Sequence, residues 1–294
     1  MSEIPATERR DPATAEIDRL DDDALARALI ETHRGAVDAA LAASREVARA
    51  TALVADALAN GRRVVAIGAG TSGRLAVLDA SELPPTFGLE PDLVEGRIAG
   101  GDRALRTAIE GAEDDAGAGA RSVADVGAGD VVIGVSASGG APFVRAALQA
   151  ARAQGARTIA ILNAPGGPLA GDAEVAIVAA TGAEPIAGST RMRAGTAQKI
   201  VLNAISTGAM IRLGKTYGNR MVDLRATNAK LRARSERLVR ELAGDGADAA
   251  ALLAAAGGSV KLAVVMARRN VGRDEAERLL AGAGGRLAAV IDGG

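Results

Sequence analysis

Gly68-Ala69-Gly70-Thr71-Ser72-Gly73 is a glycine loop that carries two adjacent hydroxyls. Its spacing, G-x-G-x-x-G, allows a tight turn and a close approach of backbone amides to a phosphate at a helix N-terminus. Dinucleotide-binding loops of this spacing usually hold small apolar residues where Thr71 and Ser72 stand here. Two further turns share the hydroxyl character. "SASGG" supplies Ser136, Ser138 and Gly139, and "GSTR" supplies Ser189 and Thr190. Three such turns at one sheet edge would surround a single phosphoryl group and the hydroxyls of a sugar. A dinucleotide would also require an acidic residue at the end of the second strand for its ribose. That strand runs into "IAGG", and Asp102 comes only after the glycines. The loops favour a sugar phosphate over a dinucleotide, although each serine taken singly also reads as a helix cap.

Groups able to move protons are few. The chain has no cysteine, which excludes disulfides, thiolate metal sites and a thiol nucleophile. Its single histidine, His33, lies in "ALIETHRGAVDAAL", a stretch with helical spacing well ahead of the first glycine loop, and reads as a half-exposed helix residue. With no Trp, one Tyr and two Phe, the platforms on which nucleobases stack are missing. Acids and bases must then be carboxylates, lysines or Tyr217. Arg191, Arg193 and Lys199 flank the third turn and suit either a phosphate or a solvated helix face. Lys261, near the end, is a candidate cation on a lid.

Thirty-five basic residues balance 36 acidic ones, for a net charge of −1 over 294 residues. No basic block marks a nucleic-acid partner or an anionic membrane. The opening "MSEIPATERRDPATAEIDRL" has no apolar centre, and no run of about 18 apolar residues occurs, so a soluble cytoplasmic protein is expected.

The elements that must position the three turns follow from periodicity. Residues 14–60 read as two helices closed by Gly61. Short β-branched runs then alternate with Ala- and Leu-rich helical segments: "RVVAIGAG" from 63, "DLVEGRIAG" from 92, "DVVIGVSAS" from 130, "RTIAILN" from 157 and "EVAIVAAT" from 174. Strands with little alternation, separated by helices, specify an α/β protein with a five-stranded parallel sheet covered on both faces, in the flavodoxin-like manner. Beyond Thr181 the pattern is helical. One long helix is expected from Ser189, its N-cap, and another over "NRMVDLRATNAKLRARSERLVRELAG". Three short helical pieces fill the last 50 residues, the last with Asp274 and Glu277 at capping-box spacing.

The motifs "GAGTSGRLAVLDASELPPTFG", "RIAGGDRALRTAIEGAEDD", "SASG" and "EPIAGSTRMRAGTAQKIVLNAISTGAMIRLGKTYGNRMVDLRATNAKLR" closely resemble the N-acetylmuramic acid 6-phosphate etherase family. "TERRDPAT" and "VKLAVVMARRN" match as well, so the resemblance covers nearly the whole chain. It implies a sugar isomerase (SIS) fold with a small C-terminal three-helix subdomain, divided here as a helical segment over 1–54, a sugar-phosphate-binding domain over 55–218 and a helical region over 219–294. It implies cleavage of a D-lactyl ether by elimination and water addition, giving N-acetylglucosamine 6-phosphate and D-lactate in the recycling of cell-wall amino sugars. No metal or redox cofactor takes part, and family members act as homodimers. The related glucokinase regulatory protein makes a non-catalytic sugar-phosphate sensor the alternative.

The family's two functional glutamates fall on Glu82 and Glu113, with Gly70, Thr71, Ser72, Gly73, Ser136, Ser138, Gly139, Ser189 and Thr190 binding substrate. Glu82 is assigned as the proton donor and Glu113 as the base, and the sequence alone does not separate the two roles. One carboxyl must stay protonated near neutral pH through burial or a neighbouring charge. Gly140 and Ala141 follow "SASG" where the family commonly has a longer polar residue and then Thr; Leu83 stands where Cys is frequent. A straight helix would carry Glu82 about 14 Å past Gly73, with Glu113 similarly far beyond Gly101. Pro84 and Pro85 are expected to stop the first of these helices. Either the chain folds back or the glutamates serve a partner subunit.

Overall fold

The computed structural model describes residues 4–224, 229–244 and 246–293. These divide into two compact units. One runs to Ser81 and resumes over Asp92–Ser206; the other takes Glu82–Pro91 and the residues from Thr207 onward.

In the first unit, three helices precede the sheet: α1 (Asp22–Glu31), α2 (Arg34–Ala42) and α3 (Ser44–Ala59). The sequence pattern predicts two. The extra break falls at Thr32, whose carbonyl accepts from Arg193 Nε at 2.9 Å instead of continuing the helical ladder. α3 ends just ahead of Gly61 as expected.

The chain then alternates: β1 (Val64–Gly68), α4 (Gly70–Phe87), β2 (Val94–Ile98), α5 (Ala116–Arg121), β3 (Val131–Ser136), α6 (Pro142–Ala153), β4 (Arg157–Leu162), β5 (Val175–Val178) and α7 (Arg193–Arg212). The five strands form one parallel sheet in the order β2-β1-β3-β4-β5. All five expected strands are present, and the order is that of a doubly wound sheet whose chain reverses between β1 and β3. Val64 to Gly68 pair with Val131 to Val135, so both strands end level at the same edge. Val65, Ile67, Val132, Leu148 and Leu162 form a buried core with α6.

α4 runs through Pro84 and Pro85 and ends two residues later, at Phe87, near where the prolines are expected to stop it. The missing prolyl N–H groups remove the donors that would meet the Ala80 and Ser81 carbonyls four residues back, so the ladder weakens there and the helix closes within two residues of Pro85. Gly88 N donates to Pro84 O at 3.0 Å and closes the helix.

In the second unit a two-residue hairpin, β6 (Thr216–Tyr217) with β7 (Arg220–Met221), precedes α8 (Ala229–Ala243), α9 (Ala249–Ala255), α10 (Val260–Arg269), α11 (Arg273–Gly282) and the short α12 (Leu287–Ile291). The helix expected from Asn219 therefore begins as a hairpin strand, and its described helical part is Ala229–Ala243; residues 225–228 of it lie outside the described residues. Asp274 is in the first turn of α11, whose N-cap is Gly272, so the capping box does not form. Val239, Leu253, Val264 and Leu287 make this unit's own core. No single helix among the described residues is long and apolar enough to cross a membrane.

Candidate active site

The carboxyl edge of the sheet opens into a cavity of about 390 Å³ lying wholly within the first unit. Two loops leaving adjacent strands build most of it. From β1 the chain passes through Ala69 into α4, bringing Gly70, Thr71 and Ser72 to the wall. From β3 it passes through Ser136, Ala137 and Ser138 to Pro142, the first residue of α6. The first turn of a helix leaves its amides without intrahelical acceptors and carries a partial positive charge. Two such helix ends, those of α4 and α6, converge on one cavity, which is an arrangement for an anion. Thr190 and Gly188 complete the wall from the loop ahead of α7.

The three hydroxyl turns inferred from sequence thus meet, but not every residue in them lines the cavity. Gly73 serves the loop from behind: a Cβ there would lie 2.6 Å from the Gly68 carbonyl oxygen, so only glycine lets α4 start so close to β1. Gly139 and Ser189 are likewise absent from the wall. Ser189 is also not the N-cap of α7. That helix starts four residues later, and its first amides, of Arg193 and Ala194, donate to the two carboxylate oxygens of buried Glu184 at 2.7 and 2.8 Å.

Hydrogen-bond direction separates the serines. Asn163 Nδ2 meets the Ala179 carbonyl at 2.9 Å and must donate, which leaves Asn163 Oδ1 to accept from Gln198 Nε2 at 2.9 Å. Gln198 Oε1 then faces Ser72 Oγ at 2.9 Å, so Ser72 is the donor and its proton is committed inward. Ser136 and Ser138 do the reverse. Their oxygens accept from the amides of Gly139 (3.2 Å) and Gly140 (3.1 Å), which leaves each hydroxyl proton for a ligand. Gln198 and Asn163 were not read from the sequence as site residues. The signal for them is an amide side chain closing the apolar strand "AILN" and another ahead of the apolar helix stretch "IVL" in "TAQKIVL".

Glu113 lines the cavity, with Asp114 beside it. The straight-helix distance does not apply to it. Between β2 and Glu113 the chain makes only short turns, and Gly111, in the left-handed region at φ 71°, reverses it just before the glutamate. Arg74 of α4 fixes this excursion, donating to the carbonyls of Ala104 (2.7 Å) and Leu105 (3.1 Å). Glu82 is an exposed residue of α4 and belongs to the second unit. Glu113 is exposed too, so neither glutamate has the burial expected of a carboxyl held protonated.

The cations weighed for a phosphate are not in the wall. Arg193 is spent on Thr32, Ala183 and Asp11, and Lys199 on Asn203 and Asp79. His33 Nδ1 pairs with Thr196 Oγ1 at 2.8 Å, a structural contact between α7 and the start of α2. Lys261 is buried in the second unit, donating to Asp223 (2.7 Å) and the Gly285 carbonyl (2.8 Å). Burial lowers its pKa and Asp223 opposes that shift. The ligand-facing chemistry of the cavity is therefore hydroxyl protons, helix amides and carboxylates.

Comparison with known proteins bears on the fold and the family. Residues 46–152 match a model of the glucokinase regulatory protein N-terminal SIS domain, and residues 108–207 match the SIS domain. The chain is 49% identical to an N-acetylmuramic acid 6-phosphate etherase of Deinococcus radiodurans, over all of this chain and 97% of that one. It is 51% identical to one of Symbiobacterium thermophilum, over 88% and 87%. A solved phosphoheptose isomerase from Francisella tularensis shares the fold at TM-score 0.51 and 19% identity, over 64% of this chain and 97% of that one.

Proposed function

Because the chain belongs to the N-acetylmuramic acid 6-phosphate etherase family, we propose that it cleaves the D-lactyl ether of N-acetylmuramic acid 6-phosphate, releasing D-lactate and N-acetylglucosamine 6-phosphate. The observation that carries this reading is identity near one half along the whole chain. The cavity supports it, since it offers an anion site and a carboxylate together.

With the sugar ring open, the C1 carbonyl acidifies the proton on C2. A base removes that proton, the electron pair forms the C2–C3 double bond, and the C3–O bond breaks toward the lactyl oxygen. That oxygen needs a proton to leave. Water then adds across the double bond, its hydroxyl to C3 and a proton to C2. On this reading Ser136, Ser138 and Thr71 hold the phosphate at the ends of α4 and α6, together with Gly70 and Thr190, and Glu113 takes the C2 proton. Ser72 shapes the loop through Gln198; Gly73, Gly139 and Ser189 support the turns that carry the binding groups. Glu82 protonates the departing oxygen. Residues 55–218 carry these phosphate-binding groups, 1–54 lead into them, and 219–294 form the C-terminal region of a cytoplasmic homodimer engaged in amino-sugar catabolism and peptidoglycan recycling.

The test is direct. Pure protein incubated with N-acetylmuramic acid 6-phosphate in heavy water should release D-lactate and place deuterium at C2 of the product sugar. Binding without lactate release would make the protein a sensor instead, and lactate without deuterium would exclude proton abstraction at C2.

A further inference from the structure

One carboxylate in the cavity comes from a distant part of the chain. Glu8 stands in the wall with Glu113, Ser138 and Thr190. It is carried by a strap, residues 7–14, laid across the loop ahead of α7. Fully buried Thr7 accepts from Gly188 N at 3.1 Å, Arg10 bridges to Glu184 in parallel register, Thr14 Oγ1 donates to Pro185 O at 2.8 Å, and Asp11 pairs with Arg193 at 3.2 Å. The strap is fastened on both sides of Glu8, so the position of its backbone is fixed.

The loop makes room for the side chain at Gly188. A Cβ there would lie 2.8 Å from Glu8 Oε2, and φ of 75° independently favours glycine. Among the described residues no cation pairs with Glu8. An ionised carboxylate only accepts hydrogen bonds, whereas the α4 and α6 ends and the serine hydroxyls present donors. The cavity therefore has a donor-lined side for an anion and an acceptor for neutral O–H or N–H groups.

We propose that Glu8 is a specificity-determining residue that contacts the substrate, accepting hydrogen bonds from the hydroxyl or amide donors of the sugar while its charge keeps the phosphate at the helix ends. The proposal rests on the sugar-phosphate reading of the cavity and adds a third glutamate to the pair that the family resemblance supplies.

Titration calorimetry with N-acetylglucosamine 6-phosphate and, separately, with inorganic phosphate tests it on Glu8→Ala and Glu8→Gln. A hydrogen bond to a charged group is worth enough that Glu8→Ala should weaken the sugar phosphate by about ten- to a hundredfold. Inorganic phosphate should bind no more weakly than to the wild type, and for the sugar phosphate Glu8→Gln, which keeps one acceptor oxygen, should fall between. Unchanged sugar binding in Glu8→Ala overturns the proposal. So does an equal loss of both ligands, which would make the residue a prop for the strap. Wild-type protein that binds the sugar phosphate but releases no D-lactate refutes the etherase reading alone, and wild-type protein that binds neither ligand refutes both.

Discussion

Ser72 and Ser138 line the same cavity, but their protons have opposite uses. Ser72 donates to Gln198 inside the protein, while Ser138 accepts from Gly140 N and has its proton to give. Ser138→Ala should therefore raise KM for the sugar phosphate while leaving the unfolding free energy within about half a kcal/mol of wild type. Ser72→Ala strands a buried amide oxygen, at a cost on the order of 1–3 kcal/mol, and should lower the melting temperature before it changes KM. Steady-state kinetics and calorimetric melts of the two variants check this; a reversed pattern would mean the directions are wrong. The sequence makes the hydroxyls visible, because three Ser/Thr-Gly turns stand out against apolar strands. It does not reveal their direction, which for Ser72 is set by the Ala179 carbonyl three partners away and for Ser138 by the Gly140 amide. Glu8 was equally illegible, since its place depends on contacts such as that of Thr14 with Pro185, 171 residues apart.

At the level of elements, the strands were plain in the sequence because a sheet covered on both faces demands unbroken apolar runs. The start of α7 was not. A serine four residues ahead of the helix looks like a cap, yet the capping group is Glu184, reaching back from the preceding loop. Glu184→Ala should leave both amides without their buried acceptor, destabilising the protein by on the order of 1–3 kcal/mol. Hydrogen exchange should show the first turn of α7 losing protection; unchanged protection would contradict the capping assignment.

Below the sheet, Arg97 grips Asp125 in a two-pronged pair at 2.7 and 2.9 Å, and Arg63 adds a third contact at 2.9 Å. Arg97 chiefly, then Arg63, holds this carboxyl far below the usual carboxylate range. A depressed folded pKa gives stability that is present above the unfolded value of about 4 and is lost as pH falls through the folded one. Acid unfolding of Asp125→Asn should therefore be less steep below pH of about 4 than that of the wild type. Parallel curves would show that the pair contributes nothing to the pH dependence, as surface pairs often do not.

At the scale of the whole molecule, the first unit contains the complete cavity and Glu113, and Glu82 is a residue of the second. The elimination needs a base and a proton donor on one substrate, and both glutamates are solvent-exposed in a single chain. A homodimer in which Glu82 of one subunit serves the cavity of the other would supply the missing donor and the missing burial at once. A two-fold dimer contains two such shared sites. Glu82→Gln and Glu113→Gln should each lower kcat by about 10²–10⁴ with little change in KM. When the two variants are refolded together, a mixed dimer pairs an intact Glu82 with an intact Glu113 in one of its sites and two altered residues in the other. Random assembly should then restore about a quarter of wild-type activity, rising and falling with the fraction of mixed dimers resolved by native mass spectrometry. A mixture no more active than its parents, despite abundant mixed dimers, would confine the reaction to one chain and require the donor to be sought among the carboxylates of the first unit.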